Sequence, residues 1–357
     1  MLKYKKITIH LFFAITWFIS VFQGAEELEK LIEQETKEAR AKVKTVRALA
    51  IDGGALRGAI PGKVLKEIEE KTGQPISKLF HIAGGTSIGC MLAAGLSVAS
   101  KDDPLKPKWS ADDLVQALYD GGPNIFRKRI PWGSVYDVGA LERVVDQYCG
   151  TATFDQSIIP TVGIAFDCWA GKTKAICSWE KEEVFLTRDA VLASCAVPFL
   201  FYPRLISPVN FNAPNNRYLL SDGFLGANNP TAIVISQAKK LFPNVEKFEI
   251  LSLGNGVIKD PFYYRILKGT GTVAGLLANS ILRIFDIGLN VVSSDEYIKD
   301  MAFGNYTRIN PIVSEGGSPF DPSKKNLDAF QQDANDYLGI NKEQFDELIE
   351  RLKVDKD

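Results

Sequence analysis

The chain has 357 residues, with 42 Lys and Arg, 43 Asp and Glu, and two histidines. A hydrophobic fraction of 46% and a charged fraction of 24% are ordinary globular values and exclude fibrous and disordered classes. A net charge of −1 gives no electrostatic reason for a nucleic-acid partner, and two histidines leave little for an imidazole-rich metal site or a Ser-His-Asp triad, so carboxylates are expected to carry the acid–base chemistry.

Lys3, Lys5 and Lys6 precede a run from Ile7 to Phe22 in which 12 of 16 residues are apolar, and Glu26, Glu27 and Glu29 follow. A positive flank, a short apolar core and a polar region is the layout of a secretory signal peptide, with small residues at Gly24 and Ala25 for cleavage. The run falls short of the roughly 20 residues a spanning helix needs. The expectation is a signal peptide over 1–25 and export, secreted or periplasmic. The alternatives are a membrane anchor over 7–22 and an N-terminal core helix. In the first two readings His10 leaves the catalytic inventory.

Residues 26–45 read as a solvated, charged helical leader, with Glu26/Lys30, Glu33/Lys37 and Glu38/Lys42 at i,i+4 spacing and Leu28, Leu31 and Ile32 as one narrow apolar stripe. From there strand-like and helix-like segments alternate. Residues 47–51 read as a strand, 60–71 as a helix ending near Gly73, 82–85 as a strand and 87–99 as a small-residue helix. Ser110 to Asp113 reads as a capping box opening the next helix. Residues 161–167 and 173–178 read as paired strands, and Thr187 as the cap of a helix running to Ala196. A strand over 218–221, a helix over 231–241 and a strand over 248–253 complete the series. This alternation predicts α/β with a mostly parallel sheet, in one domain over 46–357.

Cys90, Cys149, Cys168, Cys177 and Cys195 show no CxxC and no metal-like spacing. They read as buried free thiols or, in an exported chain, as including a Cys168–Cys177 pair flanking the turn at Gly171-Lys172.

Three loops follow strands, where open α/β sheets place their sites. In Asp52-Gly53-Gly54-Ala55-Leu56-Arg57-Gly58, adjacent glycines before a helix start turn N–H groups toward a shared space that suits a phosphate or a transient oxyanion. The loop lacks the dinucleotide and P-loop patterns, so no nucleotide is expected. Gly85-Thr86-Ser87-Ile88-Gly89 has the G-x-S-x-G pattern of a nucleophile elbow. His81 stands at the far end of the same strand, out of reach of Ser87, and reads as structural. Asp222-Gly223 at a strand end is often only a turn, but without a histidine Asp222 becomes the leading candidate base.

These motifs, in this order and spacing, resemble the patatin-like phospholipases. Ala193 to Pro198, Ala227 to Pro230 and Leu251 to Gly256 extend the likeness, over roughly Val46 to Pro311. The resemblance implies a patatin-like three-layer sandwich, a mostly parallel sheet flanked by helices. It implies Ser87 as nucleophile, Asp222 as base and the amides of Gly53, Gly54 and Ala55 as oxyanion hole, with Gly58, Gly85, Gly89 and Gly223 as motif glycines. Arg57 is implied as either a contact to lipid phosphate or a structural ion pair. The implied activity is hydrolysis of acyl esters of phospholipids or galactolipids, in membranes or micelles, with no metal and no cofactor. An acyltransferase or thioesterase with the same dyad, or a catalytically dead lipid-binding protein, is the alternative.

Three positions depart from the family's pattern. Ala55 replaces a third glycine, which matters where that position needs positive φ. Cys90 replaces a glycine after the elbow, and Phe224 replaces Gly or Ala after Asp222-Gly223, where it is expected to narrow an acyl pocket. Pro131-Trp132 and the apolar residues Phe262 to Tyr264, Leu277, Ile281, Leu282, Ile284 and Phe285 are candidate lipid contacts, with ordinary core packing as the alternative.

Overall fold

A computed structural model describes residues 27–28, 30–127, 136–210, 217–257, 298–299, 301, 303–314 and 317–354. The expected signal segment, Pro131-Trp132 and the candidate apolar face from Phe262 to Phe285 lie outside the described residues. No described helix is long and apolar enough to cross a membrane. The leader is helical over 30–42, and its stripe of Leu28, Leu31 and Ile32 is exposed.

The strands are β1 (Thr45–Ile51), β2 (Ile82–Thr86), β3 (Thr161–Asp167), β4 (Lys172–Cys177), β5 (Arg204–Ile206), β6 (Tyr218–Asp222), β7 (Lys247–Leu253) and β8 (Gly304–Ile309). They form one sheet in the order β5-β6-β3-β2-β1-β7-β8, with β4 paired to β3 off that path. β1, β2, β3, β7 and β8 run parallel, and β4 and β6 run antiparallel to β3. Between them lie α1 (Ala59–Thr72), α2 (Ile76–Leu79), α3 (Ile88–Gly95), α4 (Ala111–Ile125), α5 (Val138–Cys149), α6 (Thr187–Ser194), α7 (Phe224–Ala227) and α8 (Thr231–Leu241), and after β8 come α9 (Lys324–Ile340) and α10 (Lys342–Lys353).

Successive strand residues face opposite sides of the sheet, and both sides are covered. Leu49 and Ile51 of β1 join Leu251 and Leu253 of β7 in a core shared with α1, α3 and α4. Val46, Ala48 and Ala50 join Phe248 and Ile250 in a second core under α8. The molecule is therefore the expected helix–sheet–helix arrangement, and double burial explains why its strands read as unbroken apolar runs.

One detail of the register positions everything that follows. β4 occupies one edge of β3 along residues 162–167, so β2 and β6 must share the other edge. β2 pairs with residues 161–164 and ends with Thr86 opposite Ile164, while β6 arrives from the opposite direction and ends with Asp222 opposite Ala165. The C-terminal ends of β2 and β6 thus meet head to head on β3.

Some expectations shift. α3 stops at Gly95, not Ala99, because Ala99 leaves to bridge Pro107. Thr187 is the first helical residue of α6 and not its cap, which is Leu186. α6 ends at Ser194 because the Ala196 carbonyl accepts the Asp222 N–H (2.8 Å) and the Ser221 hydroxyl (2.7 Å) instead of an intrahelical donor. The Cys168–Cys177 pairing fails on register. Cys177 sits opposite Val162, whereas Cys168 lies past the other end of the hairpin, about 20 Å away along the strand. All five cysteines are free, and only Cys168 is exposed.

Candidate active site

Ser87 stands between β2 and α3 with φ 55° and ψ −124°, in the left-handed half of backbone space that a side chain ordinarily avoids. Such strain persists only where the surroundings over-determine it. Here Gly85 and Gly89 permit the turn: a Cβ on Gly85 would meet the Gly89 carbonyl at 2.1 Å, and one on Gly89 would meet the Ile51 carbonyl at 2.1 Å. Ser194 of α6 then locks it. Its hydroxyl accepts the Ser87 N–H (2.8 Å) and donates to the Ile164 carbonyl, tying the elbow to β3. Cys90, the departure after the elbow, is absorbed where its Sγ covers Gly163; burial pushes its thiol up to about 12.

The Asp52 loop is fastened on three sides. Its N–H donates to the Leu253 carbonyl (2.9 Å), its carbonyl accepts from Asn255 Nδ2 (2.6 Å), and its carboxylate takes both Nη atoms of Arg308, Oδ1 at 2.9 Å. Arg308 also donates to the Ser252 hydroxyl at 2.8 Å. Asp52 is buried and the Arg308 side chain is only 9% exposed, so this is a largely desolvated, bidentate pair. Gly58 brings the loop onto the elbow helix: a Cβ there would strike Ile88.

Ala55 has φ 50°, so the position does require the left-handed conformation and alanine occupies it with its N–H retained. The expected trio of oxyanion amides needs one correction. The Gly53 N–H is committed to the Asn228 carbonyl (3.2 Å), whereas those of Gly54 and Ala55 have no acceptor among the described residues. Arg57 is buried, lines neither cavity described below, and donates to the Gly317 carbonyl (3.3 Å), a structural placement and not a phosphate-facing one.

Asp222 closes the site from the opposite strand. Gly223 lets the chain turn against the Ile164 carbonyl. Asp222 Oδ1 accepts the Phe224 N–H (2.9 Å), while Oδ2 is buried with no hydrogen bond of ordinary geometry among the described residues. Desolvation pushes the carboxyl up to about 7; the nearby Ser87 hydroxyl and the Phe224 N–H favour the ionised form but offset only part of the burial.

These pieces enclose one small cleft lined by Gly53, Gly54, Ala55, Ser87, Asp222 and Phe224, among others. It shares Ala55, Ser87, Val197 and Phe320 with an adjoining apolar cavity walled by residues such as Leu118, Ile125, Leu141, Leu200 and Phe201. Phe224, expected to narrow an acyl pocket, lines the small cleft and not the apolar cavity. His81 sits at the start of β2, where its Nδ1 accepts the Arg47 N–H (2.9 Å) and its ring meets Phe242 edge-on, a structural role. No cluster of metal-ligating side chains occurs among the described residues.

Sequence reasoning missed Arg308, Asn255 and the role of Ser194. Ser194 and Asn255 stand in segments whose pattern had drawn attention. Arg308 lies in a strand with no distinguishing signal, 256 residues from its partner.

Comparisons with known proteins point to one family. The family model described as patatin-like phospholipase matches residues 49–235. Patatin-like protein 2 of Oryza sativa is 26% identical over 83% of this chain and 84% of its own length. Patatin-like protein 6 of Arabidopsis thaliana is 28% identical over 89% of this chain and 68% of its own. A potato (Solanum tuberosum) relative named as probable inactive patatin-3-Kuras 1 is 26% identical over 59% of this chain and 62% of its own.

Proposed function

The chain belongs to the patatin-like phospholipase family, and from that premise we propose that it is a lipid acyl hydrolase working through Ser87 and Asp222. Ionised Asp222 takes the proton of Ser87, whose oxygen attacks the ester carbonyl. The amides of Gly54 and Ala55, with the positive end of α3 behind Ser87, hold the oxyanion. Protonated Asp222 returns its proton to the departing alcohol, leaving the acyl group on Ser87. Water then attacks that ester while Asp222 accepts its proton, and Asp222 returns that proton to Ser87 as the fatty acid leaves. The acyl chain lies in the apolar cavity, whose wall begins at Ser87.

The observation that carries this reading is the meeting of β2 and β6 on β3, which brings an elbow serine and a carboxylate of raised pKa into one cleft. A base whose pKa sits near neutrality is far more effective than an ordinary aspartate near 4. The substrate class in this proposal, phospholipid or galactolipid, is the one that the family suggests. Export through residues 1–25 remains part of the proposal.

The experiment is labelling with a fluorophosphonate probe together with acid release from a mixed lipid panel. Ser87→Ala abolishes labelling, and Asp222→Asn lowers turnover by at least about a thousandfold, in the range of single-residue losses in serine hydrolases. A chain that neither labels nor releases fatty acid joins the catalytically dead alternative, and acyl transfer to an added alcohol in preference to water marks an acyltransferase.

A further inference from the structure

The segment that follows α6 has two characters. Val197, Leu200 and Phe201 line the apolar cavity, whereas the interleaved Phe199 and Tyr202 point outward and are 65% and 58% exposed. The segment is a closed turn, since the Val197 carbonyl accepts both the Leu200 N–H (3.1 Å) and the Phe201 N–H (2.8 Å). Phe199 is held in it at φ 67°, a conformation that costs free energy for any bulky L-residue. The fold thus bears backbone strain at a residue that is 65% exposed.

Phe199 and Tyr202 are not isolated. The β3–β4 hairpin extends past the level of Asp222, because Asp167 pairs with Lys172 two residues beyond the Ala165–Asp222 pair, and its turn exposes Trp169 at 62%. Lys172, at the foot of that turn, is exposed. Leu225, immediately after the Asp222 turn, and Ile312, just past the end of β8, are also exposed. Trp169 follows β3, Leu225 follows β6 and Ile312 follows β8, while Phe199 and Tyr202 lie between α6 and β5. Single exposed apolar side chains need no explanation, but several of them on the segments that follow these elements do.

We propose that this rim, centred on Phe199, Tyr202 and Trp169, is the surface by which the protein docks on a lipid–water interface, with the apolar cavity facing the lipid. Tyrosine and tryptophan have an apolar body and a polar tip, which suits the boundary between headgroups and acyl chains. Lys172 adds a positive charge beside Trp169, complementary to anionic headgroups. The apolar surface runs without a break from the rim into the cavity wall, since residues 197–202 supply both, so an acyl chain drawn from the interface stays in apolar surroundings. The proposal rests on the lipid acyl hydrolase reading for the identity of what enters the cavity.

The test uses the full chain with Ser87→Ala, so that lipid is not consumed, and co-sedimentation with phosphatidylcholine vesicles containing phosphatidylserine. The double variant Phe199→Ser/Tyr202→Ser is expected to lower vesicle partition at least tenfold. In the Ser87-containing chain, hydrolysis of a soluble short-chain nitrophenyl ester is expected to stay within twofold. Phe199→Gly guards against misfolding: it removes the ring and relieves the positive φ, so Tm holds or rises while partition falls. Unchanged partition in both variants overturns the docking surface. Concentration-dependent dimers that these variants disperse, without vesicle binding by the parent, overturn it in favour of a second copy of the chain. Failure of the parent chain to cleave the soluble ester overturns the functional reading instead.

Discussion

Two strand ends of this molecule look alike in sequence and behave differently. Asp52 directly follows β1 and Asp222 ends β6; both are buried, both precede glycine, and Gly53 after Asp52 lines the same cleft as Asp222. Asp52 is gripped by both Nη atoms of Arg308, and its backbone is tied to Leu253 and Asn255. Asp222 has one backbone donor at Oδ1, no cation among the described residues, and a serine hydroxyl nearby, and its carboxyl rises to about 7. Burial is common to both; the presence or absence of a guanidinium separates an anchor from a group free to exchange a proton. The oxyanion loop is fixed by the first carboxylate, and the nucleophile is served by the second.

The comparison breaks most completely if Arg308 is removed. Arg308→Met leaves Asp52 buried without its cation, and the loss of one partner of such a pair costs about 3–5 kcal/mol. Chemical denaturation should show that loss, and the double variant Asp52→Asn/Arg308→Met should recover much of it. Since the amides of Gly54 and Ala55 lie two and three residues after Asp52, the double variant should still show a depressed kcat with little change in KM, which a purely structural pair would not give.

Next in size is the stability carried by Asp222. Its pKa rises from 3.8 to about 7 on folding, so the folded state holds a proton that the unfolded chain has released between those values. That contribution is fully present below pH 4 and is lost as pH rises through 7. Above neutrality the wild-type chain carries the buried charge, and Asp222→Asn does not. The asparagine variant should therefore be more stable at pH 8 by about 2–4 kcal/mol, with the advantage vanishing below pH 4. An equal advantage at both pH values would mean that the carboxyl does not titrate as its burial implies.

Ser194→Ala is a smaller perturbation. It leaves the buried Ser87 N–H without an acceptor, at a cost of about 1–3 kcal/mol. It should slow acylation of Ser87 by loosening the elbow, while Ser194→Thr should restore part of the rate where the hydroxyl can reach both partners. Ala55→Gly is the smallest. It removes left-handed strain of roughly 1–2 kcal/mol but returns backbone freedom to the unfolded chain, so Tm should move by only a few degrees and activity should stay within twofold.

The fold class and most of the sheet were legible because each central strand is short, apolar and bounded by glycine-rich turns. β5, β8, α5, α9 and α10 were not: β5 is three residues long, β8 alternates weakly, and the late helices carry mixed surfaces. At the site, the loops of Ser87 and Asp222 could be read because close backbone approach and tight turns leave glycines in fixed places. Arg308 could not, since an arginine in a strand shows its purpose only when its register across β7 brings it to Asp52. The Gly53 amide was misjudged for a related reason, as its acceptor comes from Asn228, 175 positions away in sequence. Spacing reveals what a local turn demands and is silent on partners supplied by another strand.

The central claim is that Asp222, unpaired and near neutrality, activates Ser87. It is tested most directly by the pH dependence of Ser87 acylation, followed as burst-phase release from a soluble nitrophenyl ester. The account predicts a rate that climbs through about pH 7 and levels above it, and an Asp222→Asn chain that is at least about a thousandfold slower with no such rise. A wild-type rate that is flat from pH 5 to 9, or an asparagine variant acylated at near wild-type speed, would contradict it.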